Sequence, residues 1–390
     1  MAGNEIKINS VATAGTWEVV EARDPKTDAT GPEAGTPIRD ALSRSMLDML
    51  RADNLIVLSG LGTSCCVLDG AGKRLAPTMG DLWAGVQAKT GESFEKVLER
   101  VKYDVENAGK DIELLLSRCQ LADAFEKDDD VRAFIKSAEE LIVETCSFVS
   151  DEIGLTTHEL FLRRVARRSI RHARAKVFTT NYDCCFEAAA SRAKFITIDG
   201  FSHTLPQEFD SSYFAYDLVR REQDDGAPDY IPNVFHLYKL HGSVDWKRAG
   251  AEVTKVARPE KPLLIYPRHT KFESSYNPPF VDLMATFQMA LRQPNTALLV
   301  IGCGFNDNHL TQPVLSAVRT NVGIRVAVVD PGLEASKNET ICKLKTLIGG
   351  GDARITLINA RFEQFVPELP DLVATTEEEQ HRARIKGARP

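Results

Sequence analysis

Apolar positions recur at two different spacings along this chain. Short, nearly continuous apolar runs occur at Asn54-Leu55-Ile56-Val57-Leu58, Val177-Phe178-Thr179, Phe195-Ile196-Thr197-Ile198, Val234-Phe235-His236-Leu237-Tyr238 and Leu263-Leu264-Ile265-Tyr266. Three more follow at Ala297-Leu298-Leu299-Val300-Ile301, Val326-Ala327-Val328-Val329 and Ile355-Thr356-Leu357-Ile358. Runs of this kind predict strands covered on both faces. Between them the spacing changes to three and four. Pro37 opens a helical pattern through Ile38, Ala41, Leu42, Met46, Met49 and Leu50, and others cover Phe280 to Leu291 and Leu310 to Val318. Strands alternating with helices predict βαβ units, hence an α/β fold with a Rossmann-like, mostly parallel sheet and helices on both faces.

The texture differs over about residues 80–174, where strand patterns are absent. Phe94, Val97, Leu98, Val101 and Val105 make one helical stripe; Ile112, Leu115, Leu116 and Cys119 make a second; Phe134, Ile135, Ala138, Leu141, Ile142 and Thr145 make a third. This predicts a helical insertion within one domain over residues 37–370. Residues 1–36, polar and rich in Gly, Thr and Ala, read as a flexible tail, and residues 371–390 as a charged one.

Composition narrows the class. Hydrophobic residues are 43% and charged residues 26% of the 390, the balance of a soluble globular protein able to bury a full core. A formal net charge of −7 at pH 7 argues against a protein that coats nucleic acid, and direct nucleic-acid binding is not expected. One basic run, Arg163, Arg164, Arg167, Arg168, Arg171, Arg174 and Lys176, puts Arg163, Arg167 and Arg171 on one helical face. That face is either solvated or acid-paired, or a contact for an acidic partner surface or for nucleic acid, and the acidity of the whole chain favours the protein partner over nucleic acid. No apolar run approaches the roughly 20 residues of a membrane span. The N-terminus carries no secretory h-region, so a cytoplasmic location is expected. The eight cysteines contain no Cys-x-x-Cys, so neither a disulfide framework nor a zinc module is expected, and no metal.

In a parallel sheet, ligands bind beyond the carboxyl ends of the strands. Four such junctions carry unusual residues. Gly60-Leu61-Gly62-Thr63-Ser64 is either a plain turn or a place where a dinucleotide pyrophosphate approaches the backbone. In Thr179-Thr180-Asn181-Tyr182-Asp183, the Asn and Asp side chains either cap the next helix or hold a ligand's hydroxyl and amide groups. In Lys239-Leu240-His241-Gly242-Ser243, the histidine is either structural or a general base with suitable pKa range. Gly302-Cys303-Gly304-Phe305-Asn306-Asp307 is either a turn with a helix cap or the seat of a nucleotide's adenosine half.

In this order the four junctions resemble the sirtuin family, whose pattern runs Gly-Ala-Gly-x-Ser, Thr-Gln-Asn-x-Asp, His-Gly and Gly-x-(Ser/Gly). The resemblance spans roughly residues 54–360. The forms Lys239-Leu240-His241-Gly242-Ser243 and Gly302-Cys303-Gly304-Phe305-Asn306-Asp307 look closest to a bacterial sirtuin-like branch of antiphage defence whose members degrade NAD. Departures matter too. Deacylating sirtuins carry two Cys-x-x-Cys pairs and an Asp-Phe-Arg cofactor loop; this chain has neither, and offers Cys65-Cys66-Val67-Leu68-Asp69-Gly70, then Pro77 and Asp81-Leu82-Trp83.

The resemblance implies that NAD is the substrate. It assigns the carboxamide contact to Asp183, ribose and water positioning to Asn181, and the base to His241. It gives the pyrophosphate to Gly60, Gly62, Thr63 and Ser64 with Thr180 beside them, and the adenosine half to Gly302, Gly304, Asn306 and Asp307. With no acyl-lysine to intercept the reacting centre, water is the implied acceptor, and nicotinamide and ADP-ribose the products. A protein deacylase and a non-catalytic NAD or ADP-ribose sensor are the alternatives. Control by homo-oligomerisation or by a separate HerA-type ATPase is the expected restraint on such an activity.

Overall fold

The computed structural model describes residues 5–23, 36–169, 171–220, 229–259, 262–264 and 278–372. Among these, a nine-stranded sheet is built from β1 (Glu5–Asn9), β2 (Glu18–Glu21), β3 (Asn54–Ser59), β4 (Lys176–Thr179), β5 (Ile196–Ile198), β6 (Val234–Lys239), β7 (Thr296–Ile301), β8 (Arg325–Val329) and β9 (Ile355–Asn359). Their order is β2-β1-β9-β8-β7-β3-β4-β6-β5. All pairs from β9 to β5 are parallel, and β1 adds antiparallel to β9 and to β2. The mixed α/β class with a mostly parallel sheet is as the alternating pattern predicts. β3, β6 and β7 read as near-continuous apolar runs because both their faces are covered: Val57, Leu58, Phe235, Leu298 and Val300 are all buried.

One face of the sheet meets α1 (Pro37–Leu50), and the opposite face carries Phe287, Leu310, Val314 and Leu344 from helices later in the chain. Thr36 caps α1 by accepting from the Arg39 amide, with Pro37 at the first helical position, where a missing N–H costs nothing.

Residues 5–23 are not the flexible tail that composition predicts. They supply β1 and β2, with Ile6, Ile8 and Val20 buried. The alternation Glu5-Ile6-Lys7-Ile8 is a short period-two signal inside a polar stretch, and the edge of β9 gives it a partner. The tail reading for residues 24–35 and 373–390 lies outside the described residues, as do Ile265 and Tyr266. Leu263–Leu264 pairs with Gly242–Ser243 and not with the main sheet.

Between β3 and β4 lie α2 (Met79–Thr90), α3 (Glu92–Arg100), α4 (Val105–Ala108), α5 (Ile112–Glu126), α6 (Asp129–Cys146) and α7 (Thr156–Ala166). The first five pack on a core of their own through Trp83, Phe94, Leu115 and Phe134. The stripe from Phe94 to Val105 is broken, because the chain turns at Lys102 with a φ of 51°. The basic run is also not one helix. α7 ends at Ala166, and Arg167 and Arg168 are buried beyond it. Arg168 donates to the carbonyls of Ala52 and Ala173; Arg164 pairs with Asp371 at 3.1 Å, and Arg174 with Asp217 at 2.8 Å. Three of these guanidiniums thus tie chain segments together, and Arg163 and Arg171 are exposed.

Beyond β4 come α8 (Cys185–Ala193), α9 (Phe280–Leu291), α10 (Asn308–Thr320) and α11 (Glu339–Gly349). No described helix is long and apolar enough to cross a membrane.

His158 on α7 is fully buried among Phe161, Phe186 and Phe362, and neither ring nitrogen has a protein partner. Burial pushes its pKa down to about 4, against a smaller upward pull from Asp183. The unfolded chain takes up this proton near pH 6.5, and the folded one does not until about 4. Stability is therefore full above about pH 6.5 and falls as pH drops, by roughly 3 kcal/mol for this group. His236, also depressed to about 4 by burial, adds a loss of the same sign. His158→Leu is expected to flatten the stability profile between pH 6.5 and 4 by that amount. Denaturant melts across this range check it, and a slope equal to the wild type would count against it.

Candidate active site

β3 and β7 are neighbours whose chains then leave toward opposite sides of the sheet, β3 to β4 and β7 to β8. This is the topological switch point, where an open parallel sheet presents a crevice. The two glycine turns that follow them pack backbone to backbone. The Gly62 amide donates to the Gly302 carbonyl at 3.0 Å, and the Gly302 amide to Val329 at 2.8 Å. Gly302 has a φ of +59°, and a Cβ on Gly62 or Gly302 would overlap the other residue's Cα. These glycines are therefore required by each other, before any ligand is considered.

The polar residues of the first turn point inward, not at a ligand. The amides of Gly60, Gly62, Thr63 and Ser64 donate to Ile301, Gly302, Gly60 and Leu61 carbonyls. The Thr63 hydroxyl meets Ser59 at 2.8 Å, and the Ser64 hydroxyl donates to Asp183 Oδ2 at 2.7 Å. Thr63 and Ser64 are buried. Direct pyrophosphate contacts expected from Gly62, Thr63 and Ser64 thus have no unengaged donor in these groups. Their work is to hold the second junction.

Asn181 is fixed by that work. Its Nδ2 faces the Gly60 carbonyl at 3.0 Å, Ser64 Oγ at 2.8 Å and Thr63 Oγ1 at 3.2 Å. A carbonyl only accepts, so the amide nitrogen must point there, and Oδ1 is the atom left for a ligand. Asp183 accepts from Ser64 through Oδ2 and from the Cys185 amide through Oδ1, at 3.0 Å. Both oxygens thus hold the loop to Ser64 and to the start of α8, whose cap position is Cys184, and Asp183 also lines the cavity described below.

Lys239 locks the same loop from the next strand. It is 2% exposed, and its Nζ donates to the carbonyls of Tyr182 and Asp183 and to Glu187 Oε1 at 3.1 Å. Burial alone would lower its pKa, but Glu187 and neighbouring acids outweigh burial and raise it, so it stays charged. Two residues on, His241 is buried, with Nε2 3.1 Å from Nε2 of His309 on α10. Gly242 follows with a φ of +86°, and a Cβ there would overlap the Leu263 carbonyl.

A cavity of 260 Å³ collects these pieces. Gly60, Thr180, Asn181, Asp183, His241, Gly302, Gly304, Asn306 and Asp307 line it, while Gly62, Thr63 and Ser64 lie behind. Cys146 and Cys303 also line it, but burial pushes their thiols up to about 12 and about 11. Burial thus disfavours the thiolate form that a cysteine nucleophile needs. A larger cavity, 490 Å³, lies along α6 beside Pro262 and Leu264 and holds none of the junction residues. Among the described residues no three His, Cys, Asp or Glu side chains converge as a metal site would require.

Sequence reasoning left His309, Lys239 and Glu113, another residue of this cavity, without a role. Lys239 had a usable signal: a lone cation closing a buried apolar run. His309 and Glu113 had none, since each meets the site only through folding.

Residues 175–340 match the family model of the SIR2-like domain. That stretch holds Asn181, Asp183, His241, Gly302, Gly304, Asn306, Asp307 and His309, but not the Gly60 turn. No curated protein matches the chain. Among solved structures, a Sir2 enzyme overlaps at 13% identity, covering 89% of this chain and 99% of its own, with a TM-score of 0.37. Cytosolic 5'-nucleotidase IIIB bound to cytidine overlaps at 10% identity over 92% and 97%, with a TM-score of 0.30. Both overlaps are too loose to carry an inference about activity.

Proposed function

We propose that this protein is an NAD glycohydrolase that releases nicotinamide and ADP-ribose from the cavity at the switch point. The observation that carries this is the convergence of Asn181, Asp183 and His241 on one cavity beyond the strand ends, in a stretch that matches a SIR2-like domain.

Hydrolysis breaks the bond between ribose C1′ and the nicotinamide nitrogen, and the electron pair leaves on the ring. Asn181, its amide nitrogen pinned, offers Oδ1 to a ribose hydroxyl or to water. Asp183 is held by Ser64 and the Cys185 amide in place to accept from a carboxamide. His241 takes the proton of the attacking water, whose oxygen bonds to C1′. The diphosphate has a place near Asn306 and Asp307, where the amino end of α10 carries partial positive charge.

Such an activity is toxic if unrestrained, so its control by self-assembly or by a separate HerA-type ATPase, and its use in antiphage defence, belong to the same proposal. Chromatography of NAD incubated with purified protein, alone and with its genomic neighbour, tests it. Nicotinamide release without any peptide supports the hydrolase. Turnover only with an acyl-lysine peptide would identify a deacylase, and binding without turnover a sensor. Asn181→Ala is expected to lose turnover and about 1 kcal/mol of stability, because the Gly60 carbonyl and the Ser64 hydroxyl each lose one donor while Thr63 still serves that carbonyl. Full turnover by a well-folded Asn181→Ala protein would remove Asn181 from the site.

A further inference from the structure

We infer that Glu113, carried to the cavity by the helical segment between β3 and β4, is a catalytic residue whose carboxylate faces the positive charge developing on the ribose. This rests on the hydrolase reading above and names a participant from outside the four junctions.

The junctions after β3, β4, β6 and β7 all contribute lining residues. The remaining wall comes from the helical segment and the loop before it, through Pro77, Met79, Leu82, Glu113, Cys146 and Phe148. Among the described residues, Glu113 is the one charged side chain of that wall. It stands in the first turn of α5, which Asp111 caps by accepting from the Leu114 amide at 3.0 Å. Ile112, Leu114, Leu115 and Leu116 are all buried, so the helix cannot rotate Glu113 away without exposing them. Its Oε1 accepts from the Tyr182 hydroxyl at 3.1 Å, which ties the carboxylate to the chain between Asn181 and Asp183.

The charge balance of the cavity favours this role. Among the described residues that line it are the acids Glu113, Asp183 and Asp307, and no lysine or arginine. The Glu113 carboxylate on the helical wall favours a cation beside it, while the diphosphate keeps to the amino end of α10. The nicotinamide ring of NAD is that cation before reaction, and C1′ takes up the charge as the bond breaks. A fixed carboxylate beside it stabilises the transition state without reorganising at the moment of reaction. In the step, the C1′–N bond breaks with its pair on nicotinamide, water oxygen bonds to C1′, and its proton goes to His241. Glu113 accepts hydrogen bonds from ribose hydroxyls and is unchanged at the end.

The test compares nicotinamide release, NAD affinity by calorimetry and melting temperature for the full-length wild type and Glu113→Gln. Expected is a fall in kcat of about 100-fold or more, with affinity changed only a few-fold. A glutamine can still accept from Tyr182, so a merely structural Glu113 would leave kcat intact, and that result overturns the inference. Should Glu113→Gln melt early, Glu113→Asp and Glu113→Asn share one shape and differ in charge. Higher turnover by the Asp variant supports the inference, and equal turnover overturns it. A wild type that binds NAD but releases no nicotinamide defeats the hydrolase reading itself, and this assignment with it.

Discussion

His241→Ala is expected to lower kcat for nicotinamide release by about two to four orders of magnitude, the span of a lost general base, while NAD still binds. The imidazole is only 4% exposed, yet it lines the cavity, and its Nε2 lies 3.1 Å from His309 Nε2. An N–H···N bond needs one donor and one lone pair, so one ring donates and the other accepts, and the tautomers decide which. Binding should survive, because the truncation removes only the imidazole and its contact with His309 and leaves the backbone of the turn from Gly302 to Asp307, which lines the cavity, in place. A buried histidine that only fills space would behave differently. Its loss would lower melting temperature and affinity together with rate. Affinity, melting temperature and release measured on one preparation separate the two, and undiminished turnover would move the base to another residue.

Gly62→Ala is expected to cost about 3 kcal/mol or more of stability, at the upper end of overpacking effects, and to abolish turnover. The added methyl would overlap the Gly302 Cα, and the neighbour it meets is backbone, which cannot swing aside as a long side chain does. The turns after β3 and β7 would have to part, and the Gly62–Gly302 hydrogen bond would go with them. Thr63 and Ser64 follow directly, so their grip on Asn181 and Asp183 would be lost at the same time. Gly70→Ala serves as the control, since a methyl there meets nothing within 4 Å and should shift stability by less than about 0.5 kcal/mol. Urea melts of both variants check the contrast. A Gly62→Ala protein as stable and active as the wild type would mean that the two turns do not touch in solution.

The parallel strands and the junctions after them were legible in the chain because both signals are local. A strand covered on both faces is a short apolar run, and a turn that needs glycine shows it within a few residues. β3, β6 and β7 and the residues that follow them are of this kind. The same locality misled where a neighbour decided the outcome. Glu5–Asn9 is too short and polar to announce itself, and it is a strand because β9 offers an open edge. The arginines from 163 to 174 have helical spacing, but buried acceptors such as the Ala52 carbonyl pull Arg168 out of the helix.

The site divides in the same way. Asn181, Asp183 and His241 could be named from their positions after strands, since chain direction alone puts strand ends on one side of a parallel sheet. Which groups stand beside them was decided only in three dimensions. Ser64 lies 119 positions from Asp183, and His309 lies 68 from His241. No period in a sequence encodes such distances. They arise because β3, β4, β6 and β7 lie side by side and their loops must share one crevice. The helical segment then closes that crevice and brings Glu113 with it.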